Sequence, residues 1–238
     1  MSTAVVIFVK TPGLSPIKTR LAAAIGPERA SEFFLRSLQA TEAVVTQAIQ
    51  ENSRLVPYWA VAEQEGLSHP LWASYQKIWQ GHGTLGEKLS GVYDELLRTH
   101  ESIIFIGGDA PIISPTHLLK AESLLAEDKS SEAEAEFVLG PAHDGGFYLF
   151  GGRVAVPRSA WTNVSYSEAS TTIELADQIQ GLGHIEKLES LPDVDTLNDL
   201  LRLPNQMREQ KQNLPEQEEL LRWLESIAVD LHQGAFQK

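Results

Sequence analysis

Several residues and motifs that define common enzyme classes are missing from this sequence. It contains no cysteine, which excludes disulfide bonds, zinc sites with cysteine ligands and catalysis by a thiol. It has no GxSxG nucleophile elbow and no HExxH motif, so neither a serine hydrolase nor a zinc protease is indicated. The GxxxxGK motif of P-loop proteins is absent as well.

Positive charge and long apolar runs are also scarce. The chain has 19 Lys and Arg residues against 32 Asp and Glu residues, which gives a formal net charge of -13. This balance disfavours a nucleic-acid-binding protein and a polybasic membrane clamp. No apolar run approaches the roughly 18 residues of a membrane span, and the run at residues 4–9 is shorter than a secretory signal requires. We therefore expect a soluble, cytoplasmic protein.

The patterns that are present indicate alternating strands and helices in a chain of 238 residues. Short apolar runs predict strands at residues 4–10, 55–62, 77–80, 102–107, 137–140, 147–150 and 185–191. Helical spacing of apolar residues predicts helices at residues 28–50, 70–75, 86–100, 115–126, 169–180 and 214–231. This alternation predicts an α/β fold, with a mostly parallel central sheet and helices on both faces.

The C-terminal part of the chain is predicted to be an extension of the main domain. Residues 204–213 are polar and include a proline, which predicts a linker, and residues 127–136 predict an exposed acidic loop. We therefore divide the chain into a main domain at 1–203 and a linker with a C-terminal helical extension at 204–238. The terminal helix has an apolar stripe that could dock on its own sheet or on a second subunit of a homo-oligomer.

An apolar run in the segment IIFIGGDAPIISP ends on a single acid, Asp109. In parallel α/β sheets, ligands bind outside the carboxyl ends of the strands, and Asp109 follows one of those ends. Hard cations such as Mg²⁺ and Mn²⁺ prefer carboxylate oxygens and keep waters or substrate phosphates as further ligands. Asp109 is therefore a candidate metal ligand, and a structural turn residue is the alternative.

The loop after the first predicted strand reads KTPGLSPIKTRL and carries three cations, Lys10, Lys18 and Arg20. In a protein of net negative charge, three cations in one short loop indicate an anion-binding site. Phosphate suits such a loop, because cations and free backbone amides at a helix start both favour it. A solvated basic loop is the alternative.

The segment GPAHDGGFYLFGG contains a tight turn with His143, Asp144, Gly145 and Gly146. Asp-Gly between two apolar runs predicts a β-hairpin. The two glycines would also allow the backbone to approach a ligand closely. The hairpin is expected in either case, and Asp144 and His143 are candidate site residues, with a plain hairpin turn as the alternative.

Two further segments contain acids or cations at a predicted helix start. In DVDTLNDL, Asp195 could complete a two-carboxylate metal site with Asp109, and helix capping is the alternative. In GTLGEKL, Glu87 and Lys88 open a helix whose N-terminus could face a nucleotide. Ordinary capping of a surface helix is the alternative for that segment.

Taken in order, the segments K-x-P-x5-KTRL, LGEKL, GGDAP, GPAHDGGFYL and DVDTLNDL resemble a family of small bacterial transferases. That family belongs to the nucleotide-diphospho-sugar transferase (GT-A) superfamily, and some members are labelled glycosyltransferases, including ones associated with arsenosugar biosynthesis. The sequence is more distantly similar to molybdenum-cofactor nucleotidyltransferases and to 2-phospholactate guanylyltransferase. The resemblance covers about residues 5–201, and the order of five motifs is more specific than any one of them.

The resemblance implies a Rossmann-like GT-A sheet and a nucleotide-activated donor. The three cations after the first strand match the loop that would hold the nucleotide phosphates. Asp109 matches the acid that would bind Mg²⁺ or Mn²⁺, and Asp195 matches a second metal-binding residue of related nucleotidyltransferases. The turn with Asp144 would face the sugar or a small-molecule acceptor.

Three functions are compatible with these features. The first is a glycosyltransferase with a nucleotide-sugar donor, in which Lys18 stabilises phosphate charge and Asp144 is the base for an acceptor hydroxyl. The second is a nucleotidyltransferase that acts on a nucleoside triphosphate and a small phosphorylated or acidic acceptor. The third is a nucleotide-sugar-binding protein without turnover.

Two departures from the related patterns bear on this choice. GT-A glycosyltransferases usually carry a DxD metal motif, whereas Asp109 is followed by Ala110 and Pro111. Many nucleotidyltransferases carry a G-x-G-x-R loop, which is missing after the first strand. The first departure weakens the glycosyltransferase interpretation and the second weakens its rival, so glycosyl transfer stays the preferred interpretation.

Overall fold

The computed structural model describes residues 2–126, 135–210 and 212–234. Its strands are β1 (Thr3–Val9), β2 (Leu55–Val61), β3 (Gln76–Trp79), β4 (Ser102–Gly107), β5 (Phe137–Pro141), β6 (Phe147–Gly152) and β7 (Ile185–Lys187). They form one seven-stranded sheet with the order β3-β2-β1-β4-β6-β5-β7. Strand β6 is antiparallel to its neighbours β4 and β5, and the other pairs are parallel. The predicted α/β fold with a mostly parallel sheet is confirmed.

Helices cover both faces of this sheet. They are α1 (Thr19–Ile25), α2 (Pro27–Glu51), α3 (Leu85–Leu96), α4 (Pro115–Leu125), α5 (Arg158–Thr162), α6 (Thr171–Ile179), α7 (Leu197–Glu209) and α8 (Pro215–Gly234). Helices α2 and α4 pack on one face, and α3, α5 and α6 pack on the other. In the part of the chain that the structure describes, no helix is long and apolar enough to cross a membrane.

The composition of β1 reflects its position at the centre of the sheet. Val5, Ile7 and Val9 pack into the core beneath α2, whereas Ala4 and Val6 pack into the core beneath α3. Successive side chains of a strand point to opposite faces, so a strand covered on both faces is apolar throughout. This is why the first strand reads as an uninterrupted apolar run.

Several predicted elements differ from the structure in extent. The helix predicted at 70–75 is a short 3-10 helix, Pro70–Trp72, and the helix predicted at 86–100 ends at Leu96. The strand predicted at 185–191 ends at Lys187, and the chain bridges to the end of β5 again only at Leu191. Most of the acidic loop predicted at 127–136 lies outside the described residues. Within that range Ala135 is fully buried, so the loop's last part belongs to the core rather than to the surface.

The linker prediction for residues 204–213 is wrong for most of that segment, because α7 extends to Glu209. The burial of Leu200, Leu203, Pro204 and Met207 follows the i, i+3, i+4, i+7 spacing of an amphipathic helix. Pro204 and the polar residues around it disguise this pattern in the sequence, since proline is rare inside helices. The boundary placed at residue 203 therefore falls inside a helix.

Helix α8 packs against α2 and α7 and completes a third core cluster. Trp223 of α8 stacks on Phe33 of α2, with ring centroids 6.4 Å apart. The guanidinium of Arg36 lies 5.6 Å from the centre of the same indole ring. Trp223 is only 9% exposed, so its buried ring is a principal contact between α8 and α2.

Replacing Trp223 tests the packing of α8. Trp223→Ala should lower the free energy of unfolding by about 3 kcal/mol, since a large buried side chain is lost and a cavity remains. Chemical denaturation measures the change. Leu182→Ala, at an exposed leucine, is the control and should change the unfolding free energy by less than about 0.5 kcal/mol. Equal effects of the two substitutions would contradict the assigned packing.

The side chain of His117 is only 11% exposed and caps the start of α4. The backbone amide of Ser114 donates to His117 Nδ1 at 3.0 Å, so this nitrogen must be unprotonated. The other ring nitrogen, Nε2, lies 3.0 Å from Glu189 Oε1. Burial lowers the pKa of His117 below its usual value, although Glu189 opposes the change.

This cap should make stability depend on pH. Since the pKa of His117 is lower in the folded state, the unfolded state takes up a proton first and stability is lost as pH falls below about 6.5. His117→Asn keeps an acceptor for Ser114 but does not titrate. Thermal unfolding between about pH 7 and pH 5 should show wild type losing more stability than the variant. Parallel pH profiles would contradict the proposed cap.

Candidate functional site

A cavity of about 480 Å³ lies at the carboxyl ends of β1 and β4. The two strands are parallel neighbours, with Phe8 opposite Gly107, so the loops that follow them emerge side by side. The charged residues that line this cavity, which we call the main cavity, are Lys10, Lys18, Arg20, Asp109, Asp144 and Asp195. The fold thus brings together candidate residues that are far apart in the sequence.

Lys18 connects the acids of the main cavity. Its ammonium lies 2.7 Å from Asp109 Oδ2 and 3.0 Å from Asp195 Oδ1. It donates a further hydrogen bond of 2.7 Å to the carbonyl oxygen of Val194. An ammonium has three N–H donors, so all three are engaged. Because the Lys18 side chain is only 8% exposed, the two carboxylates converge on a nearly buried cation.

The contact between Lys18 and Asp109 keeps both of these groups charged. Burial by itself lowers the pKa of Lys18, but Asp109 and Asp195 outweigh burial and leave this pKa above its usual value. Burial by itself raises the pKa of Asp109, but Lys18 and the more distant Lys10 leave it below its usual value. Two carboxylates thus share one ammonium, which leaves them able to attract a cation of higher charge.

The loop between β1 and α1 is anchored by a buried threonine. The backbone amide of Thr11 donates to Glu63 Oε2 at 2.9 Å, and Trp72 Nε1 donates to Thr11 Oγ1 at 3.2 Å. At the other end of the loop, Lys18 has φ 45° and ψ 46°, a left-handed conformation that is uncommon for residues other than glycine. The residue that bridges the two acids is therefore also the strained residue of its loop.

Lys10 and Arg20 remain available to a ligand. Lys10 is exposed, and it makes no ion pair with any residue that the structure describes. Arg20 is 71% exposed, and its Nη1 lies 3.9 Å from Asp195 Oδ2, at the limit of an ion pair. Such an exposed pair contributes little energy. Both side chains can therefore turn towards an anion in the main cavity.

The turn between β5 and β6 presents Asp144 to the main cavity. Asp144 Oδ1 accepts a hydrogen bond of 2.8 Å from the amide of Gly146. Gly145 has φ 94°, and a Cβ there would lie 2.1 Å from the carbonyl oxygen of Ala169. The Gly145 carbonyl accepts a hydrogen bond of 2.9 Å from the amide of Thr172. Gly145 thus serves close packing between two chain segments, which holds the turn in place.

The start of α7 explains why Asp195 is free to enter the site. The N-cap of this helix is Thr196, whose Oγ1 accepts from the amide of Asp199, and Asp199 Oδ2 accepts from the amide of Thr196 in return. Asp195 is therefore not the helix cap that its position before α7 suggested as an alternative. Its carboxylate contacts Lys18 instead.

Asp193, the first acid of DVDTLNDL, does not line the main cavity, but it lies close enough to Asp144 and Asp195 to be affected by their charges. Burial, followed by the negative charges of Asp144 and Asp195, raises the pKa of Asp193 to about 6. The DVD spacing in the sequence indicates that Asp193 and Asp195 lie on the same side of the chain, since alternate residues of an extended segment point the same way.

Gln80 also lines the main cavity, and nothing in the local sequence indicated it. Its side-chain nitrogen donates to the carbonyl oxygens of Val9 and Ala60, at 3.2 and 2.8 Å. The two bonds connect the end of β3 to the ends of β1 and β2. Because both partners are acceptors, the amide orientation is determined and Oε1 is the side-chain atom left for a ligand.

Five predicted site residues do not line the main cavity: Glu87, Lys88, His143, Gly145 and Gly146. Glu87 Oε2 accepts from the amide of Thr84, whose side chain accepts from the amide of Glu87, so the pair caps α3. Glu87 also pairs with Arg158 at 2.6 Å. Because Glu87 places a carboxylate at the N-terminus of α3, that helix end is poorly suited to phosphate. A role for these residues in ligand binding stays a prediction.

Residues 39–168 match the family model described as "Uncharacterized protein conserved in bacteria (DUF2064)". The match covers more than half of the chain. The chain belongs to this bacterial family. A search among curated proteins finds no significant match. Family membership agrees with the resemblance that the five ordered motifs indicated.

Solved structures show the same fold. A protein from Desulfovibrio desulfuricans G20, provisionally assigned as a nucleotide-diphospho-sugar transferase, is 20% identical and has a TM-score of 0.82, with 98% of each chain covered. The 4-diphosphocytidyl-2C-methyl-D-erythritol synthase from Anaerococcus prevotii DSM 20548 is 12% identical, with a TM-score of 0.52 over 83% of this chain and 94% of that one. A CMP:2-keto-3-deoxy-manno-octonic acid synthetase complexed with CTP is 14% identical, with a TM-score of 0.50 over 88% and 99%. At these identities, the likeness concerns the fold.

Proposed function

We propose that the protein is a metal-dependent glycosyltransferase with a nucleotide-sugar donor. The observation that carries this proposal is the convergence of Asp109, Asp195 and Lys18 on one point, in a cavity with two further available cations. Carboxylates for a metal and cations for phosphates are the two components that a nucleotide diphosphate requires. The fold shared with a provisional nucleotide-diphospho-sugar transferase supports the same class of donor.

The residues present fit a divalent metal that takes ligands from its substrate. The described residues contain no group of three or more His, Asp or Glu side chains suited to hold a metal ion alone. Mg²⁺ typically uses one or two carboxylates and fills its remaining positions with waters and substrate phosphates. Asp109 and Asp195 would be these two ligands. When bound, Mg²⁺ or Mn²⁺ would neutralise charge on the donor diphosphate.

Lys18 occupies the position between these two carboxylates. A divalent ion at the same position would exclude the ammonium, because two cations cannot share these oxygens at such distances. Lys18 would then turn its three donors to the phosphates of the nucleotide, beside Lys10 and Arg20. In this arrangement, binding of the metal would free the Lys18 ammonium to bind the phosphates.

Asp144 is the proposed base for the acceptor. It lies at the edge of the main cavity, on a turn held by hydrogen bonds to its neighbours. The acceptor hydroxyl gives its proton to Asp144 and its oxygen forms a bond to the sugar's anomeric carbon. The bond from that carbon to the diphosphate breaks, and the nucleoside diphosphate leaves with the electron pair. Lys18 and Arg20 stabilise the negative charge that develops on the leaving group.

Nucleotidyl transfer is the second candidate. The observation in its favour is the single acid at the end of β4, because Asp109 is followed by Ala110 and Pro111 rather than by a second acid. In that reaction, an acceptor phosphate or carboxylate would attack the α-phosphorus of a triphosphate, and pyrophosphate would leave. The same cations would hold the triphosphate, and Asp144 would bind metal or substrate.

Metal binding without nucleotide tests the position of Lys18. Lys18→Met removes the bridging ammonium and should tighten Mn²⁺ binding by about tenfold, since a competing unit charge is removed from the two carboxylates. Electron paramagnetic resonance of free Mn²⁺ measures the affinity. Lys10→Met is the matched control, because it removes a charge from the same cavity without vacating the bridging position. A similar gain in both variants, or none in Lys18→Met, would argue against the proposed metal position.

The donor is identified by thermal shift with nucleotide sugars and nucleoside triphosphates, each with Mn²⁺, Mg²⁺ or EDTA. A ligand at about 100 times its dissociation constant stabilises by roughly 2.7 kcal/mol. We expect a metal-dependent shift with a nucleotide sugar, and Asp109→Asn should abolish that shift while circular dichroism stays unchanged. A shift with triphosphates alone would select nucleotidyl transfer. A shift that survives EDTA, with no turnover of any donor, would indicate a binding protein.

A further inference from the structure

A second cavity of about 260 Å³ adjoins the main cavity. Phe8, Leu85, Asp144 and Ser167 line both cavities, so the two spaces share one wall. A ligand that extends from the diphosphate site past Asp144 would enter this second cavity. The second cavity lies beside Asp144, the proposed base, so a group that Asp144 activates would bind there.

Aromatic side chains dominate the walls of the second cavity, with Phe105, Phe147, Tyr148 and Tyr166 among them. The two phenols are already engaged elsewhere. The Tyr148 hydroxyl donates to the carbonyl oxygen of Glu189 at 3.1 Å, and the Tyr166 hydroxyl donates to the carbonyl oxygen of Trp161 at 3.0 Å. Burial raises the pKa of both tyrosines, so they stay neutral. These side chains therefore offer ring surface rather than hydrogen-bond donors to a ligand.

The charge of the second cavity differs from that of the main cavity. Asp144 is the one charged residue among its described lining residues, and that lining includes no lysine, arginine or histidine. A phosphate or carboxylate placed here would face the Asp144 carboxylate without a compensating cation. Burying such an uncompensated anion is costly. The lining thus disfavours an acidic ligand and favours an uncharged one with apolar surface.

The walls are held in place before any ligand binds. A Cβ at Gly86 would lie 2.5 Å from the Trp161 carbonyl oxygen and 3.0 Å from the Tyr166 ring, so this glycine allows α3 to pack closely on that wall. The neighbouring Leu85 is consequently left 44% exposed at the junction of the two cavities. An exposed leucine in this position provides apolar contact for a ligand that spans both spaces.

We propose that the second cavity is the acceptor site, and that the acceptor is an uncharged alcohol with an apolar or aromatic body whose hydroxyl lies beside Asp144. This inference rests on the proposed glycosyl transfer and names its acceptor class. An acceptor phosphate or acid, as nucleotidyl transfer requires, does not match this lining.

Two probes that share a phenyl ring test the proposal. Phenyl β-D-glucopyranoside is neutral and phenyl phosphate is anionic, and ligand-observed NMR titration measures the dissociation constant of each. Phe147 lines only the second cavity, so Phe147→Ala should weaken binding of the glucoside by about fivefold, through the loss of one aromatic contact. Phenyl phosphate can bind the cations of the main cavity, and its binding should not change in this variant.

Ile17→Ala is the matched control, because Ile17 lines only the main cavity. This substitution should leave glucoside binding unchanged. Leu85→Ala, at an exposed residue that is not required for the core, is a second test variant and should also weaken glucoside binding. Unchanged glucoside binding in both test variants, or a loss of phenyl phosphate binding in Phe147→Ala, would overturn the proposal.

The nucleotide-dependent thermal shift distinguishes failure of the acceptor assignment from failure of the proposed function. Phe147→Ala should keep the metal-dependent shift of wild type, because Phe147 lies outside the main cavity. If that shift is present while the glucoside results contradict the proposal, only the acceptor assignment fails. If wild type shows no shift with any nucleotide, the proposed function itself fails.

Discussion

Two carboxylates brought close together require a cation between them, and the arrangement of the site depends on this constraint. Asp109 follows the central strand β4, and Asp195 precedes α7 near the other end of the chain. Lys18 joins both through one ammonium, with a strained backbone and almost no exposure. Without such a partner, two carboxylates held this close together would repel each other.

The sheet determines where this cluster forms. Strands β1 and β4 are adjacent and parallel, so the cationic loop after one and the acid after the other must meet at the same edge. Strand β5 runs in the same direction as β4, so the turn between β5 and β6 places Asp144 at that same edge. A charged main cavity and an apolar second cavity result on either side of Asp144. The two cavities therefore differ in charge: cations and acids line the main cavity, whereas aromatic rings and one acid line the second.

The C-terminal helices pack against the elements that carry the charged residues of the site. Thr196 begins α7 directly after Asp195, so the packing of that helix sets the position of the acid. Helix α7 in turn packs with α8 against Leu21 of α1 and Phe33 of α2. Helix α1 begins immediately after Lys18. Both sides of the ion cluster are therefore attached to one shared core, and the C-terminal segment is part of the architecture of the site.

Elements whose signals are local can be predicted from the sequence alone. The apolar runs of β1 and β4, the long helix α2, the acid Asp109 and the cationic loop all follow from residues near one another in the chain. The sequence indicated the start of α7 after DVDT but not its extent past residue 203, since Pro204 and its polar neighbours conceal the apolar stripe of the helix. The contacts of Lys18 with Asp109 and Asp195, and the position of Gln80 in the wall of the main cavity, follow only from the tertiary structure. Contacts between distant segments depend on how the whole sheet places its strand ends, and no local pattern encodes that placement.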